Sequence, residues 1–477
     1  MILGTMVRSL AVLAVSLLLA VHAHADDIRA TVDSRVEFLS AVARNAGFDE
    51  YRMANAESPY ARRVDELLAP QLKHPAFDSM RAMRRDHGLS YDAVMSLAMH
   101  VTDPPELRER IDFDTHPATL DQRLVSAPTR ALLAQLRDLA KAVEWDRFMA
   151  RELPIQRSAA AALSRSAGEF PVLPWLEANL GPHGNTTCGL VAGLLAGGQN
   201  YGVGIQFTDG TPGEIRPVIG CSQWDAEGNP QYGGNGNDRL CALVAHEFCH
   251  SWANPLVDRH AEEFRPVGER LFKLSRAQME RQAYGTWKTC MYETVVRALA
   301  IRCTASTISP TFAADLAKSD MSRGFGWVPA LAEAIAPALA SRKAGEPLDG
   351  IVPLVVQVLS KEADRLADAA ARAPKLLSST PADGAQDVTP GPVTLVLVFD
   401  RPMRTDSHSI VGSAPDLPAG IAIGKVRDDG RTWEFNGSCE PGRTYTIGIN
   451  GGRFRGFKSK DGVELEPVTL RFTTRAK

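Results

Sequence analysis

The sequence lacks a strong excess of charge and has no basic stripe. Its 53 Lys and Arg residues nearly balance 56 Asp and Glu residues, so the net charge is -3 over 477 residues. A nearly neutral chain creates no long-range field that would attract nucleic acid or an anionic membrane. Hydrophobic residues make up 44% and charged residues 23% of the chain, which is ordinary for a globular protein. We therefore expect two or three folded domains and no nucleic-acid partner.

Long hydrophobic runs are absent beyond the N-terminus, so we expect no membrane span once that segment is removed. At the N-terminus, Arg8 precedes the apolar run LAVLAVSLLLAV, and the small residues of Ala23-His24-Ala25 follow. This order is typical of a secretory signal peptide with its cleavage site. The pattern predicts a signal peptide over residues 1–25, a mature chain that starts at Asp26, and a periplasmic or secreted location.

Cysteine is scarce, with seven residues and no CxxC pair. The missing CxxC spacing argues against a structural zinc ribbon or a dithiol redox motif. Export permits disulfides, and Cys188 with Cys221 or Cys249 with Cys290 are candidate pairs, although an odd number leaves at least one thiol free. Buried free thiols are the alternative. The sequence does not choose between them.

Patterning divides the chain into a helical part and a strand-rich part. Over residues 26–180, apolar residues recur at three- and four-residue steps, as in helices. A glycine-rich segment with a predicted hairpin at 200–220 follows, and helices then resume as far as residue 372. Short alternating strands separated by Gly, Pro and Asp turns fill residues 375–477, which is typical of an all-β sandwich. We predict a multidomain protein with a mainly α-helical α+β domain over 26–372.

The predicted helix over 238–254 carries the motif HEFCH at residues 246–250. His246 and His250 are four residues apart, so a helix places both imidazoles on one face, where they can share a metal. Glu247 would reach toward that metal without binding it and act as the general base on zinc-activated water. The predicted helix limits are Asn237 or Asp238 as its cap and Asn254-Pro255 as its end.

A catalytic zinc needs a third protein ligand besides His246 and His250. The third histidine of HExxHxxGxxH is missing, and a proline separates His260 from the motif. The helix predicted at 284–304 holds one carboxylate, Glu293, whose burial is costly unless it is paired or binds metal. It can form a simple ion pair with Arg297, or bind the metal while Arg297 holds it from outside. We favour ligation, because the site otherwise lacks a third ligand. More polar surroundings argue against Glu262, Glu263 and Glu269.

Hydrolysis of a peptide bond also needs a donor for the negative charge that develops on the carbonyl oxygen. Tyr284, Tyr292 and His260 are the candidates, and Tyr284 is the first choice. Tyrosines near a helix start are more often core or rim residues than catalytic ones, so this assignment depends on the structure.

Four segments resemble a family of exported bacterial proteins known as a domain of unknown function and regarded as metallopeptidase candidates. They are VDSRVEFLSAVARNAGFDEY, HGLSYDAVMSLAMHV, HEFCHSWANPL and YGTWKTCMYETVVRA, and the resemblance spans roughly Asp26 to Arg372. More broadly, HExxH with a distant helical Glu is similar to the gluzincins, whose thermolysin-like fold adds an upstream edge strand. This resemblance implies one zinc per chain, with His246, His250 and Glu293 as ligands and Glu247 as catalytic base.

The likeness to thermolysin-like enzymes has one departure. Their third-ligand helix reads NExxxD, whereas this chain reads MYETVVRA, so the resemblance implies that Arg297 supports Glu293 instead. This departure puts the donor for the transition state in doubt. In the C-terminal part, PADGAQDV and LVFDRPM resemble the bacterial Ig-like domain of surface-layer proteins. That resemblance implies an Ig-like domain over 375–477 that could contact the cell surface.

These features predict an exported zinc metallopeptidase of the gluzincin type with a peptide or protein substrate. An alternative is a non-catalytic cell-surface or periplasmic binding protein with a vestigial or structural metal site. A third reading is a metal hydrolase that cleaves a non-peptide bond, such as an amide of the cell wall. The motif determines the chemistry at the metal but not the leaving group.

Overall fold

A computed structural model describes residues 28–53, 58–181, 185–234, 236–343, 345–421, 423–452 and 454–476. The predicted signal peptide, residues 1–25, lies outside the described residues. The chain divides into two compact units, the first ending at Ser360 and the second beginning at Lys361. Across the described residues, no helix combines the length and the apolar character that a membrane span requires.

The first unit is mostly helical. Its N-terminal helices follow the predicted three- and four-residue apolar steps, and their core includes the fully buried Phe38, Phe77 and Trp145. Asp33 caps the first helix, because its carboxylate accepts hydrogen bonds from the Arg35 and Val36 amides. These helices are α1 (Ser34–Asn45), α2 (Pro59–Leu68), α3 (Pro75–His87), α4 (Asp92–Met99), α5 (Ser126–Ala142), α6 (Trp145–Arg151), α7 (Leu153–Ala167) and α8 (Val172–Leu180). Short 3₁₀ helices cover Asp49–Tyr51, Ala69–Gln71, Phe113–Thr115 and Leu348–Ile351.

Short strands of the glycine-rich segment form three small sheets in the first unit. The strands are β1 (Ala30–Thr31), β2 (Thr186–Cys188), β3 (Leu190–Gly193), β4 (Asn200–Tyr201), β5 (Gly204–Ile205), β6 (Gly213–Ile215), β7 (Val218–Gly220), β8 (Gln223–Trp224) and β9 (Pro230–Gln231). The sheet orders are β1-β3-β7-β4, β2-β6-β5 and β8-β9. β4 and β5 pair antiparallel with β7 and β6, which forms a bent hairpin where one was predicted. Residues 200–205 therefore run along the edges of two sheets.

A second set of helices carries the predicted site, and the last of them (Val352–Arg372) continues past Ser360 into the second unit. They are α9 (Asn237–Arg259), α10 (Ala261–Glu280), α11 (Trp287–Thr307), α12 (Pro310–Ser322), α13 (Val328–Ala340) and α14 (Val352–Arg372). α11 is central, since it packs against α9, α10, α12 and α13. Its buried residues point in every direction around the helix, and they include Glu293 and Arg297. Because α11 is buried on all sides, the fold places the charged pair of Glu293 and Arg297 in the protein interior.

The limits of α9 differ from the predicted ones. Gly236, not Asn237 or Asp238, is the N-cap, and no side chain caps the helix. The helix also continues through Pro255 to Arg259. Proline removes one hydrogen bond from a helix, but the next turn buries Leu256 and Val257 completely, and this packing offsets the loss.

α11 begins at Trp287, three residues later than predicted. Thr286 is its N-cap, and the hydroxyl of Thr286 accepts a hydrogen bond from the Thr289 amide at 3.1 Å. Threonine at this position satisfies one of the free amides at the helix start, so the helix has a defined beginning there. Tyr284 consequently lies in the connection that leads into α11.

After the end of α14, the second unit consists of strands, as predicted for the C-terminal part. They are β10 (Leu376–Thr380), β11 (Gly391–Phe399), β12 (Ile410–Val411), β13 (Gly424–Val426), β14 (Thr432–Cys439), β15 (Thr444–Ile449) and β16 (Val468–Thr473). Two antiparallel sheets, β10-β11-β14-β13 and β12-β15-β16, enclose one apolar core. Trp433 and Phe435 of the first sheet and Ile447 and Phe472 of the second belong to this core. The unit is strand-rich and Ig-like.

All seven cysteines are free thiols. Six are buried and Cys188 is half-buried. Neither candidate disulfide is formed, and the cysteines act as small apolar core residues.

Candidate metal centre

His246, His250 and Glu293 lie together, as the sequence predicted. α9 supplies the two histidines and α11 supplies the glutamate. The Nε2 atom of His246 is 3.7 Å from Oε2 of Glu293, and Nε2 of His250 is 3.6 Å from Oε1. The three candidate ligand atoms lie within 4.8 Å of one another. The histidines and the glutamate are far apart in the sequence, and the two helices bring them together into one cluster.

Helix geometry accounts for the arrangement of the two imidazoles. Their four-residue spacing puts them on one face of α9, with ring centroids 5.2 Å apart. The side chains of His246 and His250 are 20% and 15% exposed, whereas that of Glu293 is 9% exposed. The imidazoles therefore reach the protein surface while the carboxylate lies beneath them. A substrate can approach the cluster from the histidine side.

The spacing and chemistry of the cluster suit a metal ion. Tetrahedral zinc with ligands at about 2.0–2.1 Å would separate its ligand atoms by about 3.4 Å, close to the two histidine–carboxylate separations. Burial lowers the pKa of His246 to about 3, so its imidazole is neutral and available as a ligand. Burial alone would raise the pKa of Glu293, but Arg297 and the two histidines outweigh it and lower that pKa to about 2. Neither His246 nor Glu293 therefore needs to lose a proton at neutral pH to act as a ligand.

Glu247 is buried beside the cluster and is not one of the three ligands in it. Burial raises its pKa to about 7, against the opposing effects of His250 and of the Gly202 backbone amide. A carboxylate with a pKa near neutrality both accepts and releases a proton readily. Its position and its pKa suit the predicted role of general base.

Gly202 brings the edge strand directly against the motif helix. A Cβ atom at this position would lie 2.6 Å from the backbone oxygen of Glu247 and 2.9 Å from Cβ of His250. Such an approach is possible only without a side chain. The sequence left open whether the glycine-rich hairpin is an edge strand at the site or a plain surface hairpin. The contact of Gly202 shows that the hairpin passes over the motif helix at the metal cluster.

Arg297 supports Glu293 through a hydrogen bond to its carboxylate. Its guanidinium donates to Oε2 of Glu293 at 2.9 Å and to Oδ1 of Asp320 at 2.5 Å. It also lies 4.5 Å from the centre of the Phe325 ring. Arg297 thus forms the predicted ion pair with Glu293, and the same contact would hold this carboxylate from outside if Glu293 binds a metal.

Of the three predicted donors, only Tyr284 lies beside the cluster. Its hydroxyl accepts a hydrogen bond from Arg297 at 3.3 Å, and burial raises its pKa. The Tyr292 hydroxyl instead donates to Asp258 at 2.5 Å. His260 is held by two carboxylates, those of Glu263 at 2.7 Å and Asp349 at 2.9 Å. The rejected carboxylates Glu262, Glu263 and Glu269 are exposed.

Two residues around the cluster were not predicted: Asn254, which contacts His250, and Asp320, which contacts Arg297. Asn254 lies one turn after His250, and its Oδ1 is 3.2 Å from Nδ1 of that histidine. In the tautomer that donates from Nδ1, the Nε2 lone pair is left for a metal. The spacing of four residues could have revealed Asn254. Asp320 lies on a different helix, and no local pattern links it to Arg297.

A cavity of about 160 Å³ lies along the first half of α9. Its walls include Asn200 of the edge strand and Leu243, which lies one turn before His246. None of the three candidate metal ligands lines this cavity.

The fold and the cluster define a two-part protein, in which a helical unit holds a candidate metal centre and a strand-rich unit follows. The chain belongs to the family described as domain of unknown function DUF4932, whose model matches residues 28–358. Residues 370–474 match the bacterial Ig-like domain. No curated protein matches the chain in sequence.

Solved structures show only weak likeness. CopC from Methylosinus trichosporium OB3b has 20% identity and a TM-score of 0.18, and the match covers 22% of this chain and 94% of that chain. The S-layer protein rSbsC has 17% identity and a TM-score of 0.16, and the match covers 49% of this chain and 33% of that chain. Both TM-scores are too low to support a conclusion about the fold.

Proposed function

We propose that this protein is a zinc-dependent peptidase that acts in the periplasm or outside the cell. The arrangement of His246, His250 and Glu293 carries the proposal, because these three donors face one point and Glu247 lies beside them. Three protein ligands leave one position of a tetrahedral metal for water or substrate, which is typical of catalytic rather than structural zinc. The partial exposure of both imidazoles agrees with this preference.

The roles of the residues follow from their positions. Zinc, when bound, would lower the pKa of a water molecule and polarise the carbonyl of the scissile bond. Glu247 takes the proton from the attacking water and passes it to the leaving amine, since its pKa of about 7 permits both transfers. His246 and His250 present their Nε2 atoms to the metal, and Glu293 is held in place by Arg297. Tyr284, which lies beside Arg297, is the proposed donor to the carbonyl oxygen.

A peptide substrate suits the surroundings better than a compact small molecule. Residues 200–205 lie at sheet edges, and Gly202 brings this segment against Glu247 and His250. An edge strand can bind an extended peptide through main-chain hydrogen bonds, and pockets beside it receive alternate side chains. The cavity next to Leu243 lies beside this segment. The Ig-like unit is compatible with contacts to a cell surface.

Metal content tests the proposal first. Purified wild-type protein should contain about one zinc per chain and should cleave members of a fluorogenic peptide library. Glu293→Ala should lose zinc, because two histidines alone bind it weakly. Glu333→Ala, a change at an exposed glutamate of α13, is the control and should retain it.

Each outcome of this experiment has a distinct meaning. Zinc retained in Glu293→Ala at the level of Glu333→Ala would show that the third ligand lies elsewhere. No zinc in the wild type would contradict the metal centre itself. Zinc without cleavage of any library peptide would contradict the peptidase activity and favour a binding protein or a hydrolase of another bond.

A further inference from the structure

Arg297 contacts two buried carboxylates, of which only Glu293 belongs to the metal cluster. The second carboxylate, Asp320, lies near the end of α12 and accepts from Nη1 of Arg297 at 2.5 Å. Glu293, Arg297 and Asp320 are 7%, 6% and 7% exposed. Three charges that are buried this deeply persist only when they compensate one another. Asp320 therefore has an electrostatic partner but no role in the proposed hydrolysis.

The charge balance of the cluster suggests a role for Asp320. The carboxylate of Glu293 and the guanidinium of Arg297 have no net charge together, so this pair alone offers little attraction to a divalent cation. Arg323 adds another positive charge that acts on His246. The carboxylate of Asp320 offsets one of these two positive charges, so that two carboxylates balance two guanidinium groups, whereas Glu293 alone would leave a net positive charge. A dication is then favoured, because its own charge is large in a site of low dielectric.

We propose that Asp320 is a positioning residue for the metal centre, which neutralises Arg297 so that the charge of Glu293 remains available to the metal. This inference rests on the proposed function. Asp320 touches neither the histidines nor the proposed path of the substrate, and it acts only through Arg297. Outer contacts of this kind orient ligands and tune the affinity of metal sites.

The backbone around Asp320 keeps the carboxylate in place. The carbonyl oxygen of Asp320 accepts from the Arg323 amide at 3.1 Å and from the Phe325 amide at 3.0 Å. The ring of Phe325 lies against the guanidinium of Arg297. Two residues further on, Trp327 donates from Nε1 to the Thr294 hydroxyl of α11 at 2.9 Å. The turn after α12 thus encloses Arg297 and is itself attached to the helix that carries Glu293.

Zinc affinity of the full chain, measured by competition with a chromophoric chelator, tests the role of Asp320. Asp320→Asn keeps the shape and an acceptor for Arg297 but removes the charge, so it should weaken zinc binding about 10- to 100-fold. Asp320→Glu keeps the charge and should stay near wild type. Asp315→Asn is the matched control, because Asp315 lies on the same helix and pairs with exposed Lys318. It should bind zinc like the wild type.

A double-mutant cycle separates this role from simple structural support. If Asp320 acts through Arg297, adding Asp320→Asn to Arg297→Met should change zinc affinity by no more than about twofold. If Asp320→Asn weakens zinc binding equally in the wild type and in Arg297→Met, the inference is overturned. Equal losses of zinc affinity in Asp320→Asn and Asp320→Glu would overturn it as well. Thermal unfolding of the metal-free variants accompanies each measurement, and if Asp320→Asn is unfolded, Asp320→Ser replaces it as the uncharged variant.

Failure of the inference is distinguishable from failure of the proposed function. A wild type that binds no zinc would remove the function and the inference together. A wild type that binds zinc with the same affinity as Asp320→Asn would leave the metal centre in place and reject the role of Asp320 alone.

Discussion

The two units of this protein differ in the charge that they bury. Among the described residues, the buried charged side chains all lie in the first unit: Glu37, Arg44, Glu50, Glu247, Glu293, Arg297 and Asp320. The buried polar residues of the second unit are all uncharged: Thr432, Asn450, Ser459 and Thr474. Burying a charge costs several kcal/mol unless it is paired. The first unit therefore bears a free-energy cost for burying charged side chains, and the second unit avoids this cost.

The difference supports the proposal that the first unit holds the functional site. In the Ig-like unit, the Asn450 side chain donates to the carbonyls of Phe457 and Leu465 and accepts from the Phe457 amide. This is a polar group whose bonds hold two loops together. In the first unit, the buried Glu293 faces the Nε2 atoms of two histidines at 3.7 and 3.6 Å, which is beyond hydrogen-bond distance. The Ig-like unit thus contains a structural polar network, and the first unit contains a cluster that could hold a metal ion.

The largest expected effect comes from Glu247→Gln. Amide in place of carboxylate cannot accept the proton of water, so peptide hydrolysis should fall about 10²- to 10⁴-fold while zinc content stays at the wild-type level. Initial rates on the best library peptide, with zinc measured on the same sample, check this. Glu333→Gln is the control at an exposed position. Hydrolysis at the wild-type rate in Glu247→Gln would rule out the assigned base.

Gly202→Ala should damage the metal centre from the strand side. The added methyl would lie 2.6 Å from the Glu247 carbonyl oxygen, so strand and helix must separate. Overpacking of this kind costs about 1–3 kcal/mol, and both the melting temperature and the zinc affinity should fall. Gly350→Ala is the control, because a Cβ there meets no atom within 4 Å. Equal melting temperatures for the two variants would show that the close contact is not tight.

How much of this site was predictable depends on the distance over which its residues interact. His246, Glu247 and His250 share one helix, so their spacing alone predicts a common face. Glu293 was found because a lone carboxylate in an apolar helix demands a partner. The same reasoning does not reach Asp320, since its partner lies on another helix and nothing in the spacing joins them.

The fold shows the same limit. Periodic apolar residues predicted the helical first part and the strand-rich second part. Helix ends were less predictable, because α9 continues past Pro255 for a reason that lies in tertiary packing: the burial of Leu256 and Val257. The edge strand was one of two open interpretations, and only the contact between Gly202 and α9 decides between them.

A smaller effect, visible only against pH, should come from Glu37→Gln. Burial raises the pKa of Glu37 to about 8, although the Leu194 amide and the Tyr60 hydroxyl lower it. The folded state thus keeps a proton that the unfolded chain releases near pH 4.5. Stability is full below that pH and declines as the pH rises toward about 8, by up to about 1.4 kcal/mol per pH unit. Glu37→Gln should remove this decline.

Urea unfolding at a series of pH values measures the effect of Glu37. The control is Glu466→Gln, at an exposed glutamate of the Ig-like unit, which should leave the wild-type pH dependence unchanged. The same decline in Glu37→Gln as in the wild type would mean that Glu37 is ionised in the folded protein. Glu37 would then be a buried anion, and the two units would differ still more in the number of ionised side chains that they bury.

The smallest effect on the metal centre should come from Asn450→Ala in the Ig-like unit. This change leaves the carbonyls of Phe457 and Leu465 without their donor, which costs about 1–3 kcal/mol for each buried group that stays unpaired. The second unit should therefore unfold at a lower temperature, whereas zinc affinity and peptide hydrolysis should equal those of the wild type. Calorimetry together with zinc titration checks both halves of this prediction. If zinc affinity falls with the stability of the Ig-like unit, then the metal centre depends on that unit, and the buried charges of the first unit do not by themselves define the functional part of the molecule.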